Sequence, residues 1–240
     1  MSIQNQRKTA VVTGGSKGIG RAIVEKLLAQ DIDVITCARN EEALQEFKSE
    51  MEAAYPEARL FVSAVDMSKK ADVVDFIDFI KLTGREIEIL VNNAGVFIPG
   101  EIHQEEDGMM ELMIQTNLYS AYYLTRGIVP KMKKAKHGFI FNICSIASQQ
   151  AYANGGSYSI SKFAMYGFSK SLREELKPFD IRVTSILPGA TLTASWEGVD
   201  LPEDRFMKAE DVADVVYTAY ALQGKTVIED LVMRPQLGDI

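Results

Sequence analysis

Short runs rich in Val, Ile and Phe recur along the chain as TAVVT (9–13), DVITCA (33–38), RLFVSAV (59–65), IEILVNN (87–93), GFIFNICS (138–145), IRVTSIL (181–187) and TVIEDLVM (226–233), and they read as seven strands. Between them apolar residues return at helical spacing over 19–28, 41–54, 71–82, 107–129, 158–176 and 211–220. Strands that are apolar nearly throughout, alternating with amphipathic helices, belong to a parallel sheet covered on both faces. The pattern predicts an α/β fold of three layers, a doubly wound sandwich around a seven-stranded parallel sheet. No linker, repeat or low-complexity stretch interrupts the alternation, so residues 1–240 read as a single domain.

Proline sets two of the helix ends. Pro178 stops the helix that begins near Tyr158, because its ring has no N–H to donate and clashes with the preceding turn, and Pro56 does the same for the second helix. Two helices carry more apolar groups than one buried stripe requires. The first runs from Met109 through Leu112, Met113, Leu118, Tyr119 and Tyr122 to Leu124; the second carries Ile160, Phe163, Met165, Tyr166, Phe168 and Leu172. The surplus predicts a homodimer or homotetramer interface built from the helices around 107–129 and 158–177; extra burial inside the domain is the other reading.

Composition adds exclusions. The 240 residues hold 26 Lys plus Arg against 33 Asp plus Glu, a net charge of −7, which disfavours nucleic acid as the main partner. At 47% hydrophobic and 25% charged residues, the chain falls with folded globular proteins. No apolar run approaches the roughly 18 residues that span a bilayer, and the start MSIQNQRKTA lacks the apolar stretch of a signal peptide, so we expect a cytoplasmic protein without a membrane partner. Cys37 and Cys144 form no CxxC pair, and His103 and His137 have no second ligand at metal spacing.

The first strand runs straight into Thr13-Gly14-Gly15-Ser16-Lys17-Gly18-Ile19-Gly20 and then into a helix. Glycines there permit a tight turn and close backbone approach, while the N–H groups of the helix start face a phosphate, the Rossmann arrangement for a dinucleotide. Dinucleotide folds that prefer NAD place an acid near the end of the second strand to hold the ribose 2′-OH. Here that stretch reads Thr36-Cys37-Ala38-Arg39-Asn40, with Lys17 inside the glycine loop. Two cations at that point favour a 2′-phosphate, hence NADP(H), since guanidinium grips phosphate bidentately; Arg39 capping a turn beside Glu41 and Glu42 is the alternative. Asp66, after the third strand, reads either as an acceptor for the adenine amino group or as a turn aspartate.

Tyr158 and Lys162 lie four apart at the start of a helix and share one face. Tyrosine has an ordinary pKa of about 10, and an ammonium held nearby favours phenolate. Ser145 ends the fifth strand, at the edge of the sheet where the ligand crevice opens.

Together these residues resemble the short-chain dehydrogenases/reductases. The resemblance covers essentially the whole chain and rests on TGGSKGIG (13–20), NNAG (92–95), Asn117 in QTNLYS, Ser145 in NICSIAS, YSISK (158–162) and PGATLT (188–193). It implies that Tyr158 protonates the substrate carbonyl oxygen as hydride arrives, that Lys162 lowers the tyrosine pKa and bonds the nicotinamide ribose, and that Ser145 polarises the carbonyl. Asn117 would hold a water linking Lys162 to solvent. Gly14, Ser16, Lys17, Gly18, Ile19 and Gly20 would cradle the phosphates, Asn93, Ala94 and Gly95 would lie beside the adenosine ribose, and Pro188, Gly189, Thr191 and Thr193 would hold the nicotinamide. NADP-preferring members carry basic residues matching Lys17 and Arg39. The chain departs from the family at Asp31, where glycine is usual after the first helix; aspartate tolerates a left-handed cap, so a small stability cost is expected there.

Substrate choice is expected from the loops beyond the strand ends, above all 191–208, which carries Trp196, Phe206 and Met207. Trp196 reads as an aromatic lid over the substrate or as a structural residue packing the loop down. ASWEGVD and the ending VIEDLVMRPQLGDI resemble the bacterial sepiapterin-reductase-like branch. The expected activity is NADPH-dependent reduction of a small carbonyl compound, with a sepiapterin-like pterin ketone or diketone as its best-defined form. A 3-oxoacyl-carrier-protein reductase and a non-catalytic NADP(H) sensor are the alternatives, the sensor disfavoured by the intact proton-transfer residues.

Overall fold

The computed structural model describes residues 7–240 apart from residues 197, 199 and 223, so the opening stretch 1–6 and two positions of the expected substrate loop lie outside the described residues. The apolar runs form β1 (Thr9–Thr13), β2 (Asp33–Ala38), β3 (Leu60–Ala64), β4 (Ile87–Asn92), β5 (Gly138–Ile143), β6 (Ile181–Pro188) and β7 (Asp230–Met233). They pair in parallel in the order β3-β2-β1-β4-β5-β6-β7. Every strand therefore ends along one edge, and the winding reverses between β1 and β4, where a crevice opens.

Alternating side chains send each strand into two cores. On one face Ala10 and Val12 pack with Ile23 of α1 (Gly18–Leu28), Leu44 of α2 (Glu41–Ala54) and Val216 of α7 (Ala209–Ala221). On the other, Val11 and Ile140 pack with Phe76 of α3 (Lys70–Leu82), Leu124 of α5 (Ser120–Ala135) and Leu176 of α6 (Gly156–Leu176). This is the expected seven-stranded doubly wound sandwich.

Three boundaries differ from the sequence pattern. The expected helix 107–129 is α4 (Met109–Ile114), a π turn over Gln115–Tyr119, and α5, which continues past Pro130 to Ala135. Burial of Ile128, Val129 and Met132 holds the helix through the proline. The last strand pairs only over Asp230–Met233, not from 226. The helix carrying Tyr158 begins two residues earlier, at Gly156. Asp31 adopts φ +56, the left-handed conformation expected where the family has glycine.

The surplus of apolar residues divides between the two readings. Met113, Leu124, Met165 and Leu172 are buried within the chain, whereas Met110, Tyr119, Tyr122, Ile160 and Phe163 remain exposed on α4, α5, α6 and the π turn.

A row of buried polar groups, silent in the hydrophobic pattern, crosses beneath the carboxyl edge. Asn92 Nδ2 donates to Asn142 Oδ1 at 2.8 Å, Asn142 Nδ2 donates to Ser169 Oγ at 2.9 Å, and the Ser169 and Ser185 hydroxyls share a hydrogen bond of 2.9 Å. Arg173 completes the row, its Nε donating to Val183 O at 3.0 Å and its Nη2 pairing with Asp230 Oδ1 at 3.0 Å. Such a network fixes the register of β4 to β7 against α6 because each member left alone in the core is costly. Arg173→Met, which keeps the bulk and removes the donors, should lower stability by about 2 kcal/mol; an unchanged urea midpoint would show that the row is not needed for folding.

Candidate active site

The crevice between β1 and β4 is built by close backbone approach. Gly14 and Gly18 have φ of +68 and +54. A Cβ on Gly20 would lie 2.2 Å from Gly14 O and 2.5 Å from Asn93 Nδ2. A Cβ on Gly15 would lie 2.0 Å from Thr36 Oγ1, so this glycine serves the packing of the loop on β2. Thr13 Oγ1 accepts from Asn93 N at 3.0 Å and Ala94 N at 2.9 Å, and Asn93 Nδ2 donates back to Thr13 O at 2.8 Å. The amide of Asn93 thus stitches β1 to β4 while the residue faces the crevice.

A cavity of about 850 Å³ runs along this edge of the sheet. It is lined by Gly14, Ser16, Lys17, Gly18, Ile19, Gly20, Arg39, Asp66, Asn93, Ala94 and Gly95 toward β1 and β2, and by Ser145, Tyr158, Lys162, Pro188, Gly189, Thr191 and Thr193 toward β5 and β6. Of the expected site residues only Asn117 is not on its wall. Helix α1 points its N-terminus at the cavity, and its first turn carries no acidic side chain. Lys17 and Arg39 reach the same end, and among the described residues neither forms an ion pair; Arg39 does not engage Glu41 or Glu42, and α2 is capped by Asn40 instead. The glycine cradle, the helix start and the two cations fit a dinucleotide that carries a phosphate on its adenosine ribose. Asp66 is a turn aspartate as well as a wall residue. Its Oδ1 accepts from Ser68 N at 3.0 Å and Ser68 Oγ at 2.7 Å, and although burial pushes its carboxyl up, these bonds and Lys69 bring it below the ordinary value.

At the other end Ser145 caps a 3-10 turn over Ile146–Ser148, its Oγ accepting from Ala147 N at 3.1 Å. Ser145 and Tyr158 stand near each other on the cavity wall. Lys162 Nζ lies 5.8 Å from the Tyr158 ring centre and donates to Ile143 O at 3.0 Å. Lys162 is buried, whereas Tyr158 is partly exposed on the cavity wall. Burial pushes the Tyr158 phenol above its ordinary value, against the opposing Ser145 bond, and burial pulls the Lys162 ammonium down. Desolvation is the largest cause of the Tyr158 shift, and Lys162 is not among its causes.

Asn117 stands behind this pair, in the π turn. Its Oδ1 accepts from Val96 N at 2.7 Å, and its Nδ2 donates to Val96 O at 3.0 Å and Ser161 Oγ at 2.8 Å. The side-chain amide fixes the β4 loop against α6. Gly95 has room for no side chain between them, since a Cβ would meet Asn117 Oδ1 at 3.1 Å and Lys162 Nζ at 3.6 Å.

The sequence did not disclose several wall residues. Phe97 meets Tyr158 edge to face at 4.8 Å, and Trp196 lies 6.5 Å from Phe97 and 5.2 Å from the buried Phe206. Trp196 packs against Phe206 and lines the cavity. Tyr152 also faces the cavity, its phenol pushed up to about 12 by burial and by Tyr158. Glu105 accepts Ser157 N at 2.8 Å and the Ser157 hydroxyl, tying the loop after β4 to the first turn of α6, next to Tyr158. Nothing in the run HQEED marks that contact. Cys37 and Cys144 are buried thiols pushed up to about 12 by desolvation, hence unreactive at neutral pH.

The fold and the lining of the cavity fit a dinucleotide-binding oxidoreductase. A family model for short chain dehydrogenase matches residues 8–204, and the chain belongs to that family. It is 30% identical over 236 residues to a sepiapterin reductase of Chlorobaculum tepidum, covering 96% of this chain and 97% of that protein. It is 31% identical to the NADP-dependent 3-hydroxy acid dehydrogenase YdfG of Escherichia coli K12, covering 94% of each. Among solved structures, a metagenomic short-chain oxidoreductase in complex with NADP superposes with a TM-score of 0.83 at 31% identity, over 96% of this chain and 98% of the other. Among the described residues no helix is long and apolar enough to cross a membrane.

The cradle makes a direct prediction. Gly20→Ala must displace the Gly14 carbonyl, so NADPH affinity should fall by about tenfold or more in a fluorescence titration. Gly167→Ala, on an open face of α6 with nothing within 4 Å, should not change it. Equal affinities for the two variants would contradict the close-approach argument.

Proposed function

We propose that the protein reduces a ketone or diketone carbonyl on a small molecule, with Tyr158 as the proton donor, and oxidises the alcohol in reverse. The chain is an NADP-dependent short-chain dehydrogenase, and bound NADPH supplies the hydride. The observation that supports this reading is the meeting of Ser145, Tyr158 and Lys162 on one cavity wall, where desolvation pushes the Tyr158 phenol above its ordinary value. The Ser145 hydroxyl orients and polarises the substrate oxygen. As hydride adds to the carbonyl carbon, the C=O π bond opens and the Tyr158 proton passes to oxygen, leaving the alcohol and a phenolate that recovers its proton from solvent. The neighbouring Lys162 stabilises that phenolate once it forms. Lys17 and Arg39 hold the 2′-phosphate, and the residues of 14–20, 93–95 and 188–193 hold the rest of the dinucleotide.

The wall of Phe97 and Trp196, backed by the buried Phe206, supports a flat or apolar substrate, of which a sepiapterin-like pterin side-chain ketone is the best-defined candidate. We take residues 1–240 as one catalytic unit with 191–208 as its substrate loop. The exposed Tyr119, Tyr122, Ile160 and Phe163 support a homo-oligomer, and two unpaired buried cysteines accord with a reducing cytoplasm.

The test is Tyr158→Phe assayed by loss of NADPH absorbance with ketones, diketones and sepiapterin. Turnover should fall by about a hundredfold or more, with NADPH affinity within about twofold of wild type. Retained turnover would overturn the role given to Tyr158, and wild-type enzyme that binds NADPH and consumes it with none of these compounds would overturn the reductase reading.

A further inference from the structure

The cavity has a cation that neither the dinucleotide nor proton transfer uses. Arg234 follows β7, beside the end of β6: Gly189 N donates to Met233 O at 2.8 Å, and a Cβ on Gly189 would lie 3.5 Å from Arg234 Cα. Arg39 follows β2, five strand positions away, or roughly 24 Å at the usual strand spacing, so Arg234 has no part in holding the 2′-phosphate. It stands two strands, roughly 10 Å of backbone, from the β5 end that presents Ser145. An arginine side chain bridges most of that distance.

Arg234 pairs with Asp239, five residues along the chain, and both line the cavity. The pair is exposed to water, 38% for Arg234 and 45% for Asp239, so the attraction is weak and readily exchanged. A second guanidinium comes to the same carboxylate residue from the substrate loop. Arg205 Nη2 donates to Asp239 O at 3.5 Å, and Arg205 Nη1 is buried with no hydrogen-bond partner among the described residues. Arg234 thus meets the carboxylate of Asp239 on the cavity wall, while Arg205 reaches the backbone carbonyl of the same residue and steadies it from the substrate loop.

We infer that Arg234, supported by Arg205, is an anion subsite for the carboxylate of a small oxo acid, and that Asp239 is the internal carboxylate which the substrate displaces. The inference rests on the reductase reading and narrows its substrate class. Recognition follows from the planar fork of guanidinium, which matches carboxylate and does not match an ester.

The test compares acetoacetate with its uncharged methyl ester as oxidants of NADPH. For wild type the acid should have the higher kcat/KM. In Arg234→Gln the ratio of kcat/KM for acid to that for ester should fall by about tenfold or more, chiefly through KM for the acid, and Arg234→Lys should recover part of it. Asp239→Asn should raise the ratio by removing the competitor. Butyrate should inhibit the wild type competitively against the ester, and the Arg234→Gln enzyme weakly. NADPH titration of each variant verifies that it is folded. An unchanged ratio in Arg234→Gln, or turnover of the ester with none of the acid, would overturn the subsite and leave the reductase reading standing. Turnover of neither, nor of any neutral ketone, would overturn both.

Discussion

The site depends on one stitch, the reciprocal hydrogen bonding of Thr13 and Asn93 across the gap where β1 and β4 part. A parallel sheet must lead its chain away in opposite directions somewhere, and at that point the backbone of two strand ends is left without partners. Thr13 Oγ1 accepts the N–H groups of Asn93 and Ala94, and Asn93 returns its amide to Thr13 O. The two loops are thereby held so close that Gly14 and Gly20 have room for no side chain. The cradle for a phosphate, and the position of Gly95 before Lys162, follow from that closeness.

A second requirement is burial. Lys162 is buried and Tyr158 partly covered, with Phe97, the β4 loop that Asn117 clamps through Val96, and the first turn of α6 that Glu105 ties down around them. Desolvation then acts on the two groups in opposite senses, favouring the neutral phenol and the neutral amine. The pair is set as an acid waiting for a carbonyl oxygen. The loops that seal it are also those that vary most in shape and chemistry, which is how a common proton donor serves a particular substrate.

Much of this was legible in the sequence because the signals are local. A run such as TAVVT followed by glycines and a helix specifies a strand, a turn and an anion-facing helix start within a dozen residues, and Tyr158 with Lys162 share a face by spacing alone. What the sequence did not disclose depends on distant partners. Asn142 on β5, Ser185 on β6 and the α6 pair Ser169 and Arg173 come from three different stretches and meet only in the core. The π turn at Asn117 has no compositional mark, and the continuation of α5 through Pro130 reflects burial on the sheet, which outweighs the local cost of proline. Spacing reveals the ammonium of Lys162 near Tyr158 but not the desolvation that acts on the phenol.

The central claim is that the resting enzyme presents a protonated, partly covered Tyr158 to the substrate. The direct measurement is the pH dependence of kcat/KM in both directions with one ketone and alcohol pair. A phenol whose pKa is raised remains an acid through neutrality, so reduction should be flat from about pH 6 to about pH 8.5 while alcohol oxidation, which needs the phenolate, climbs steadily over the same interval. A reductive rate that falls through an apparent pKa near about 7 would contradict the account, because it would mean that the tyrosine had already lost its proton.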